Sequence, residues 1–473
     1  MASHRKPHRR HQKKRPPLKA APINVMVHDL GQQGDGIAKV ETDNGNTDTY
    51  FIRNAMPGDE LTIQPTRQHS GGIDAAILNI ITPAPGRKPA DCPSADHCGG
   101  CQFQFMEDGL YQRWKQDMVA SALSHMGILP KEWRPTYSAG YGNRRRARLA
   151  WRKINDHVII GFREARSHRI TPPEGCLILD PEVIKAIHAL KHDVLIHCDD
   201  GQKGEVDIMR CDQGWDIGLR PDAPFSRQQM TEMVIAASLH PIARLAQIHA
   251  SGEVDLLSEA STPTVTWSLN GGSLNGGSLN DGSLNNGTND PAATITLALA
   301  PGSFMQADHG AEQIMQQQIA AALSEDDHIV DLFCGSGTLS LPLLTRRQPP
   351  KLIMGYDSAT LALEAMQDSA KSAGHHHRVK NVYRNLFKDP LQTHELSGFS
   401  AAIIDPPRAG AAAQMPALAT SDVERIMMVS CNPISFARDA KTLQDGGYHC
   451  QWVQMIDQFY RTSHVELIAC FQR

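Results

Sequence analysis

The chain contains 473 residues, of which 41% are hydrophobic, 21% charged and 5% aromatic. This composition is that of an ordinary globular protein, and the length disfavours a single domain because one core rarely grows beyond about 300 residues. A membrane helix is not expected because no run of about 18 apolar residues occurs, and a secretory signal is not expected because the basic N-terminus lacks an apolar run. We therefore expect a cytoplasmic protein of several domains with no membrane partner.

The formal net charge of −4 hides an uneven distribution. Residues 1–20, MASHRKPHRRHQKKRPPLKA, include eight Lys or Arg and no acidic residue. A polybasic segment of this kind predicts a disordered tail over residues 1–22 that attracts phosphate. A merely solubilising terminus is the alternative.

Short strand-like runs follow the tail between residues 23 and 85. INVMVHDL, DTYFIRN, DELTIQP and DAAILNI alternate there with clusters of Gly, Asn and Asp. Such runs separated by turn residues predict a small β-barrel.

The segment DCPSADHCGGCQFQF places Cys92, Cys98 and Cys101 within a few residues of one another. In a reducing compartment such a cluster indicates metal ligands, and either structural zinc or an iron–sulfur cluster accepts four thiolates. Cys176, in the turn PPEGCLILD, is the most plausible fourth ligand, and Cys198 and Cys211 are less favoured choices.

Residues 86–300 carry mixed helix and strand patterns after an amphipathic helix predicted over residues 109–127. The stretch YGNRRRARLAWRK forms a basic stripe with two aromatic residues, which favours contact with an RNA backbone over a merely solvated strand face. The repeat SLNGGSLNGGSLNDGSLNNG predicts a flexible loop over residues 268–290, at the tip of a hairpin between TPTVTW and AATITLAL.

From residue 301 onward, helices and apolar strands alternate, which predicts a doubly wound parallel sheet that binds its ligand at the carboxyl ends of the strands. The run HIVDLFCGSGTLSLPL reads as a strand, a glycine turn and a helix, and Asp357 closes the next strand. The turn lacks the third glycine of the dinucleotide fingerprint. A nucleoside-bearing cofactor is still favoured, because Asp357 is placed to accept hydrogen bonds from ribose hydroxyls.

Three further strand ends carry reactive groups. Cys431 ends the apolar run IMMVS, where a thiolate can act as a nucleophile. IDPPRAG places Asp405 and Arg408 at a strand end, and TSHVELIACF places Glu466 beside His464 near the start of the last strand. Each charge taken singly is more often an exposed rim residue than a functional one.

Taken together, these motifs resemble the S-adenosylmethionine-dependent RNA uracil-C5 methyltransferases, which make 5-methyluridine. The motifs that match, in the family's order, are PGSFMQAD, DLFCGSG, DPPRAG, VSCNP with FARD, and HVE. The resemblance covers the chain apart from the basic tail and the repeat loop. It implies an α/β fold with a C-terminal Rossmann-like methyltransferase domain over residues 301–473.

The resemblance also implies roles for individual residues. Cys431 matches the nucleophile that adds to carbon 6 of uracil, and Glu466 matches the general base. Asp405 matches the carboxylate near the target base and the cofactor, and Phe304 matches the aromatic residue that packs on the extruded uracil. The remaining positions that match the cofactor site are Gln306, Phe333, Thr338, Asp357 and Asn385. Thr338 replaces a common Asn, and Asp357 replaces a more frequent Glu.

Several implications concern cofactor, substrate and assembly. The rRNA-type members carry a [4Fe–4S] cluster on the pattern formed by Cys92, Cys98, Cys101 and Cys176, so the resemblance favours iron–sulfur over zinc and 23S rRNA over tRNA. The barrel over residues 23–85 resembles the TRAM domain, an OB-like RNA-binding module. The family gives no reason to expect more than a monomer.

Three rival hypotheses remain for the function. The first is a tRNA uridine-C5 methyltransferase. The second is a non-catalytic RNA-binding iron–sulfur protein, which the tail and the barrel would suit. The third is a nicotinamide-dependent iron–sulfur oxidoreductase, which predicts a third glycine in the turn and gives no role to Cys431 with Glu466.

Overall fold

The computed structural model describes residues 20–42, 44–165, 167–269 and 294–473. The predicted tail, apart from its last three residues, lies outside them, as does nearly all of the predicted repeat loop. The chain divides into two compact units, one formed by the described residues up to Asp91 with Gln102–Gln112 and one formed by Cys92–Cys101 with Arg113–Arg473. Within the described ranges, no helix is long and apolar enough to cross a membrane.

The first unit is a six-stranded sheet in the order β1-β5-β6-β4-β3-β2. Its strands are β1 Ile23–Met26, β2 Asp29–Leu30, β3 Gly36–Glu41, β4 Thr47–Ile52, β5 Glu60–His69 and β6 Gly72–Thr82. Inward apolar side chains such as Ile52, Leu61 and Ile63 form its core. The predicted strand runs are therefore confirmed, whereas the unit also takes in residues 102–112, beyond the boundary predicted near residue 85.

Helix α1 spans Asp108–His125 and ends before Gly127, whose φ of 69° is unfavourable for other residues. Its buried stripe consists of Tyr111, Lys115, Val119 and Leu123. The helix is thus found where it was predicted, but its buried face is centred one residue further on than the apolar residues suggest. A lysine sits in the middle of that face.

The central sheet has seven strands in the order β10-β9-β8-β11-β12-β13-β14. Their bounds are β8 Arg146–Ile154, β9 His157–Arg163, β10 Ile170–Thr171, β11 Lys203–Cys211, β12 Gly214–Pro221, β13 Ile242–Ile248 and β14 Val254–Glu259. One face packs against α2 Pro181–Ala189, the short helical turns over Leu190–His197, and α3 Arg227–Ala237. The opposite face of β8, β11 and β12 carries charged side chains.

A two-stranded hairpin and one further sheet complete the described part of the chain. The hairpin strands β15 Thr264–Trp267 and β16 Ile295–Ala298 pair antiparallel, which confirms that the repeat joins two hairpin strands. The last sheet uses β17 His328–Leu332, β18 Leu352–Asp357, β19 Val379–Tyr383, β20 Ala401–Ile404, β21 Arg425–Ser430, β22 His449–Asp457 and β23 Glu466–Gln472. Its helices are α4 His309–Ala322, α5 Thr360–Ser372, α6 Met415–Thr420 and α7 Pro433–Asp445.

The order of this sheet is β19-β18-β17-β20-β21-β23-β22-β7, where β7 is Glu132–Ser138. The five strands from β19 to β21 run parallel, as predicted, and β23 runs antiparallel between β21 and β22. The edge strand β7 comes from well before residue 301, so the sheet extends beyond the predicted domain.

The glycine turn after β17 departs from the prediction in one respect. The chain goes through turns to a short 3₁₀ helix at Leu341–Thr345, and no α-helix begins at Gly337. Ligand contacts at this turn therefore have to come from the backbone and side chains of the turn itself. A helix macrodipole is not available there.

Candidate active site

Strand register brings the predicted catalytic residues to one edge of the last sheet. Ser430 pairs with Leu467, so Cys431, the next residue after β21, lies opposite Glu466 at the start of the antiparallel β23. Leu332 pairs with Ile404 and with Tyr356, so Phe333, Asp405 and Asp357 follow at the same edge. The edge therefore carries a thiol, three carboxylates and an aromatic ring on neighbouring strands.

Burial raises the pKa values of Glu466, Asp405 and Asp331, so these three acids are protonated more readily than free carboxylic acids. Burial, followed by the charge of Asp405, raises the pKa of Glu466, and burial also raises the pKa of Asp405. Burial, reinforced by Asp405 and Asp357, raises the pKa of Asp331 to about 7. Two neighbouring buried carboxylates resist carrying two negative charges, so at neutral pH the Asp405–Glu466 pair holds a proton.

Cys431 is a thiol in the ligand-free protein. Burial, with the negative charges of Glu466 and Asp405, raises its pKa to about 11, and Arg408 opposes that shift. The residue is half-buried in the ligand-free protein. An adjacent cation would lower this pKa, because it offsets the two carboxylates.

The glycine turn and Asp357 form the next part of the edge. The Gly335 amide donates to Asp357 Oδ2 over 2.9 Å, and the Ala359 amide donates to Asp357 Oδ1 over 2.8 Å. Phe333 has a φ of 59°, a conformation that is uncommon for a non-glycine residue. The buried Asp331 Oδ2 has no hydrogen-bond partner in the structure. A strained aromatic residue and an unsatisfied buried oxygen are features of a ligand site.

Two aromatic rings extend this part of the site. The rings of Phe333 and Phe387 lie 5.2 Å apart, and Phe387 is exposed. Asn385 shapes the turn that presents Phe387, because its Oδ1 accepts the Phe387 amide over 3.1 Å. Thr338 follows the glycine turn, and its backbone carbonyl accepts a hydrogen bond from Gln316 Nε2.

Phe304 is the most exposed of the predicted site residues, with 64% of its surface accessible. The guanidinium of Arg146 lies 4.8 Å from its ring centroid. The next two residues, Met305 and Gln306, are buried. They anchor the loop on which the exposed Phe304 projects.

Gln306 is joined to Glu466 through a residue that the motifs do not include. Gln458 Nε2 donates to Gln306 Oε1 over 2.7 Å and to Glu466 Oε2 over 2.9 Å. The Ala307 amide donates to Gln458 Oε1 over 3.1 Å. The sequence offered no signal for Gln458, because a glutamine after an apolar strand is ordinarily exposed.

Lys115 of α1 is the second residue that sequence reasoning missed. Its Nζ donates to Asp457 Oδ1 and to the His464 carbonyl, at 2.5 and 2.6 Å. The ammonium group is fully buried, and that burial lowers its pKa against the opposing effect of Asp457. The lysine thus fixes both ends of the segment 457–464 that leads to Glu466.

Three of the four predicted cluster cysteines, Cys92, Cys101 and Cys176, lie in one neighbourhood. Cys92 interacts electrostatically with Cys176, and Arg144 interacts with both Cys101 and Cys176. The Gly100 amide points at Cys98 Sγ, 3.3 Å away. Cys198 and Cys211, the less favoured choices, are buried in the core of the central sheet or beside it. Nevertheless, the described residues include no group of three or more His, Cys, Asp or Glu side chains arranged to hold a metal ion.

Part of the predicted basic stripe, YGNRRRARLAWRK, is buried. Arg145 is buried and donates to Glu312 over 2.9 Å, and Lys153 donates to the Ile196 and Cys198 carbonyls. Trp151 is also buried. The expectation that this whole stripe contacts RNA is therefore wrong for these three residues, because strand alternation turns them inward.

Comparisons with known proteins agree on one kind of enzyme. The family model for tRNA (uracil-5-)-methyltransferase matches residues 363–473. An uncharacterized RNA methyltransferase of Agrobacterium fabrum is 30% identical over 463 residues, covering 95% of this chain and 99% of the relative. The 23S rRNA (uracil(1939)-C(5))-methyltransferase RlmD of Nitrosococcus oceani is 28% identical, with 98% of this chain and 99% of the relative covered.

One solved structure has the same fold over nearly its whole length. It is the Pyrococcus abyssi tRNA (uracil-54, C5)-methyltransferase in complex with S-adenosyl-L-homocysteine. The TM-score is 0.68 at 19% sequence identity, and the match covers 95% of this chain and 99% of that one.

Proposed function

The chain belongs to the family of S-adenosylmethionine-dependent RNA uracil-C5 methyltransferases, and from that premise we propose that it methylates a uridine of 23S rRNA with Cys431 as nucleophile and Glu466 as base. The observation that carries the assignment is the register that sets Cys431 opposite Glu466, with Asp405 on the adjoining strand.

The proposed reaction starts with the thiolate of Cys431. Its sulfur bonds to carbon 6 of the uracil, and the electron pair of the C5–C6 double bond moves toward carbon 5 and O4 as an enolate. S-adenosylmethionine would supply an electrophilic methyl group on a sulfonium: carbon 5 takes the methyl group, the sulfur–methyl bond breaks, and S-adenosylhomocysteine leaves as the neutral thioether. Glu466 then removes the proton from carbon 5, the double bond re-forms, and the Cys431 thiolate leaves.

The electrostatics of the site suit this order of events. Burial, reinforced by the two carboxylates, raises the pKa of Cys431, so the ligand-free protein holds this thiol in its protonated, unreactive form. A cationic ligand beside those carboxylates favours their charged forms and that of the thiol. The residues that we propose for holding the cofactor are Gln306, Phe333, Thr338, Asp357, Asn385 and Asp405.

Substrate recognition rests on two surfaces in this proposal. Phe304 packs on the extruded uracil, for which its exposed ring and the Arg146 guanidinium behind it are suited. The outward face of the central sheet binds the RNA backbone through Arg148, Arg152 and their neighbours. The six-stranded sheet of the first unit serves as a TRAM-like RNA-binding module.

We further infer that Cys92, Cys98, Cys101 and Cys176 hold a [4Fe–4S] cluster. The proximity of Cys92, Cys101 and Cys176, a backbone amide directed at Cys98 Sγ and the nearby cation Arg144 support this donor set. Iron and acid-labile sulfide measured on protein purified without oxygen provide the test. We expect four of each per chain by the cluster's formula, loss of both in Cys98→Ser, and no zinc.

The experiment for the function is mass spectrometry of nucleosides after incubation with S-adenosylmethionine. Unmodified 23S rRNA and unmodified tRNA are presented separately to the same protein. We expect 5-methyluridine in the rRNA alone. Product in tRNA alone would replace the proposed substrate with the tRNA alternative, and product in neither would contradict the catalytic assignment.

A further inference from the structure

Gln458 lies between Glu466, the proposed general base, and Gln306, a proposed cofactor-binding residue. It follows β22 directly and is 3% exposed. Its side chain forms three hydrogen bonds, to the Ala307 amide, Gln306 Oε1 and Glu466 Oε2, at 3.1, 2.7 and 2.9 Å. We propose that Gln458 is a positioning residue that presents Glu466 to the proton on carbon 5 and ties this base to Gln306; the proposal rests on the proposed function.

The orientation of the Gln458 amide follows from its partners. The Ala307 amide can only donate, so the atom that it meets must be the oxygen of the glutamine. The nitrogen then directs its two hydrogens at Gln306 Oε1 and Glu466 Oε2. All three bonds are buried, which makes a rotated amide costly because it would set donor against donor.

This orientation distinguishes the two oxygens of Glu466. The carbonyl oxygen of a neutral carboxyl group accepts a hydrogen bond more strongly than its hydroxyl oxygen does. The bond from Gln458 to Oε2 therefore favours Oε1 as the atom that takes the proton from carbon 5. Loss of the amide leaves the carboxyl group free to rotate and to direct either oxygen toward the substrate.

The other groups that face Glu466 act against its charged form. Asp405, from the end of β20, and burial both raise its pKa, and the hydrogen bond from Gln458 opposes them. Cys431, the residue after β21, lies opposite Glu466, and the charges of Glu466 and Asp405 contribute to its raised pKa. Gln458 thus stabilises the base form at the point where the reaction needs it.

Proton removal from carbon 5 comes after methyl transfer, so a misplaced base affects one step selectively. Gln458→Met keeps the length of the side chain and removes all three hydrogen bonds. With unmodified 23S rRNA and S-adenosylmethionine, we expect the methylated covalent protein–RNA adduct to accumulate on denaturing gels. The rate of 5-methyluridine release should fall by about 10-fold or more. This rate increases with pH as Glu466 loses its proton, and in the variant that increase should occur at higher pH.

Gln454→Met is the matched control. Gln454 is a buried glutamine of β22, the strand that Gln458 follows, and it donates to the Pro135 carbonyl of β7. It should leave the ratio of adduct to product unchanged. A general packing defect would lower adduct and product together in both variants, and that outcome for Gln458→Met would overturn the proposal.

Gln458→Glu tests the same idea without loss of shape. Its carboxylate sets an acceptor against Glu466 Oε2, so we expect adduct to accumulate increasingly as the pH rises. Product release at the wild-type rate in this variant would contradict the positioning role. Absence of both adduct and product with the wild-type protein would instead contradict the proposed function, which keeps the two failures distinguishable.

Discussion

Asp331 lies at the end of β17 with one carboxylate oxygen buried and unpartnered, and its pKa is raised to about 7 mainly by burial. A group whose folded pKa exceeds its unfolded value of about 4 binds a proton more tightly in the folded state. Its contribution to stability is therefore complete at low pH and is lost as the pH rises from about 4 through about 7.

We expect Asp331→Asn to stabilise the ligand-free protein in a pH-dependent way. The amide removes the cost of a buried charge, so the melting temperature should rise by about 5 °C at pH 8 and change little at pH 5. Thermal unfolding of both proteins at the two pH values measures this. An equal change at both pH values would show that the carboxylate is not the source of the effect.

Cys431 provides the second prediction at the scale of a residue. Cys431→Ala should lower 5-methyluridine formation by at least about 1,000-fold, because no other group supplies the bond to carbon 6. Binding of S-adenosylmethionine, followed by calorimetry, should change by less than about 3-fold, since alanine leaves the rest of the edge in place. Full methylation by this variant would contradict the covalent mechanism.

At the scale of elements, α1 stabilises the segment that carries the base. Lys115→Met leaves Asp457 buried without its cation, and breaking a buried pair in this way costs about 3–5 kcal/mol. We expect the melting temperature to fall by roughly 8–15 °C. Addition of Asp457→Leu should restore part of the loss, because both charges are then removed.

Lys441→Met is the control for that prediction. Lys441 of α7 forms an exposed pair with Asp445, four residues along the helix. Exposed pairs of this kind contribute about 0.3–0.5 kcal/mol, so the melting temperature should fall by less than about 2 °C. A loss as large as that of Lys115→Met would show that methionine itself, and not the buried charge, is the cause.

The elements that the sequence predicts are those with local signals. Apolar runs flanked by turn residues located the strands of the first unit and the strands that carry Asp357, Asp405, Cys431 and Glu466. Strand order and antiparallel insertion depend on contacts between distant segments, so the pairing of β7 with β22 was not predictable. The buried positions of Lys115 and Gln458 were likewise hidden, because their burial depends on partners far along the chain.

At the scale of the whole molecule, the central sheet has one apolar face and one face rich in arginine. Arg148 lies 52% exposed beside Asp207, Arg163 pairs with Glu205, and Arg152 is exposed on the same face. Arg163 and Glu205 are both accessible to solvent, so this weak pair exchanges readily for a phosphate oxygen, whereas Arg148 also holds the mostly buried Asp207. The face therefore offers cations to an RNA backbone without fixing a sequence.

We expect the double variant Arg148→Ala with Arg152→Ala to weaken binding of 23S rRNA and to flatten its salt dependence. Two lost phosphate contacts should reduce the slope of log affinity against log salt concentration by about 1.4–1.8. Filter binding over a range of KCl concentrations measures the slope. The control pair, Lys185→Ala with Lys191→Ala, lies on the helical side of the sheet and should leave the slope unchanged.

The edge strand β7 precedes the central sheet in the chain, yet it pairs with β22, near the C-terminus. During synthesis, Glu132–Ser138 therefore leaves the ribosome long before its partner exists. All strands of the central sheet lie between Arg146 and Glu259, so that sheet can form while β7 is still unpaired. A ribosome that stalls before Trp452 thus holds a chain whose central sheet is complete and whose strand β7 still lacks its pairing partner β22.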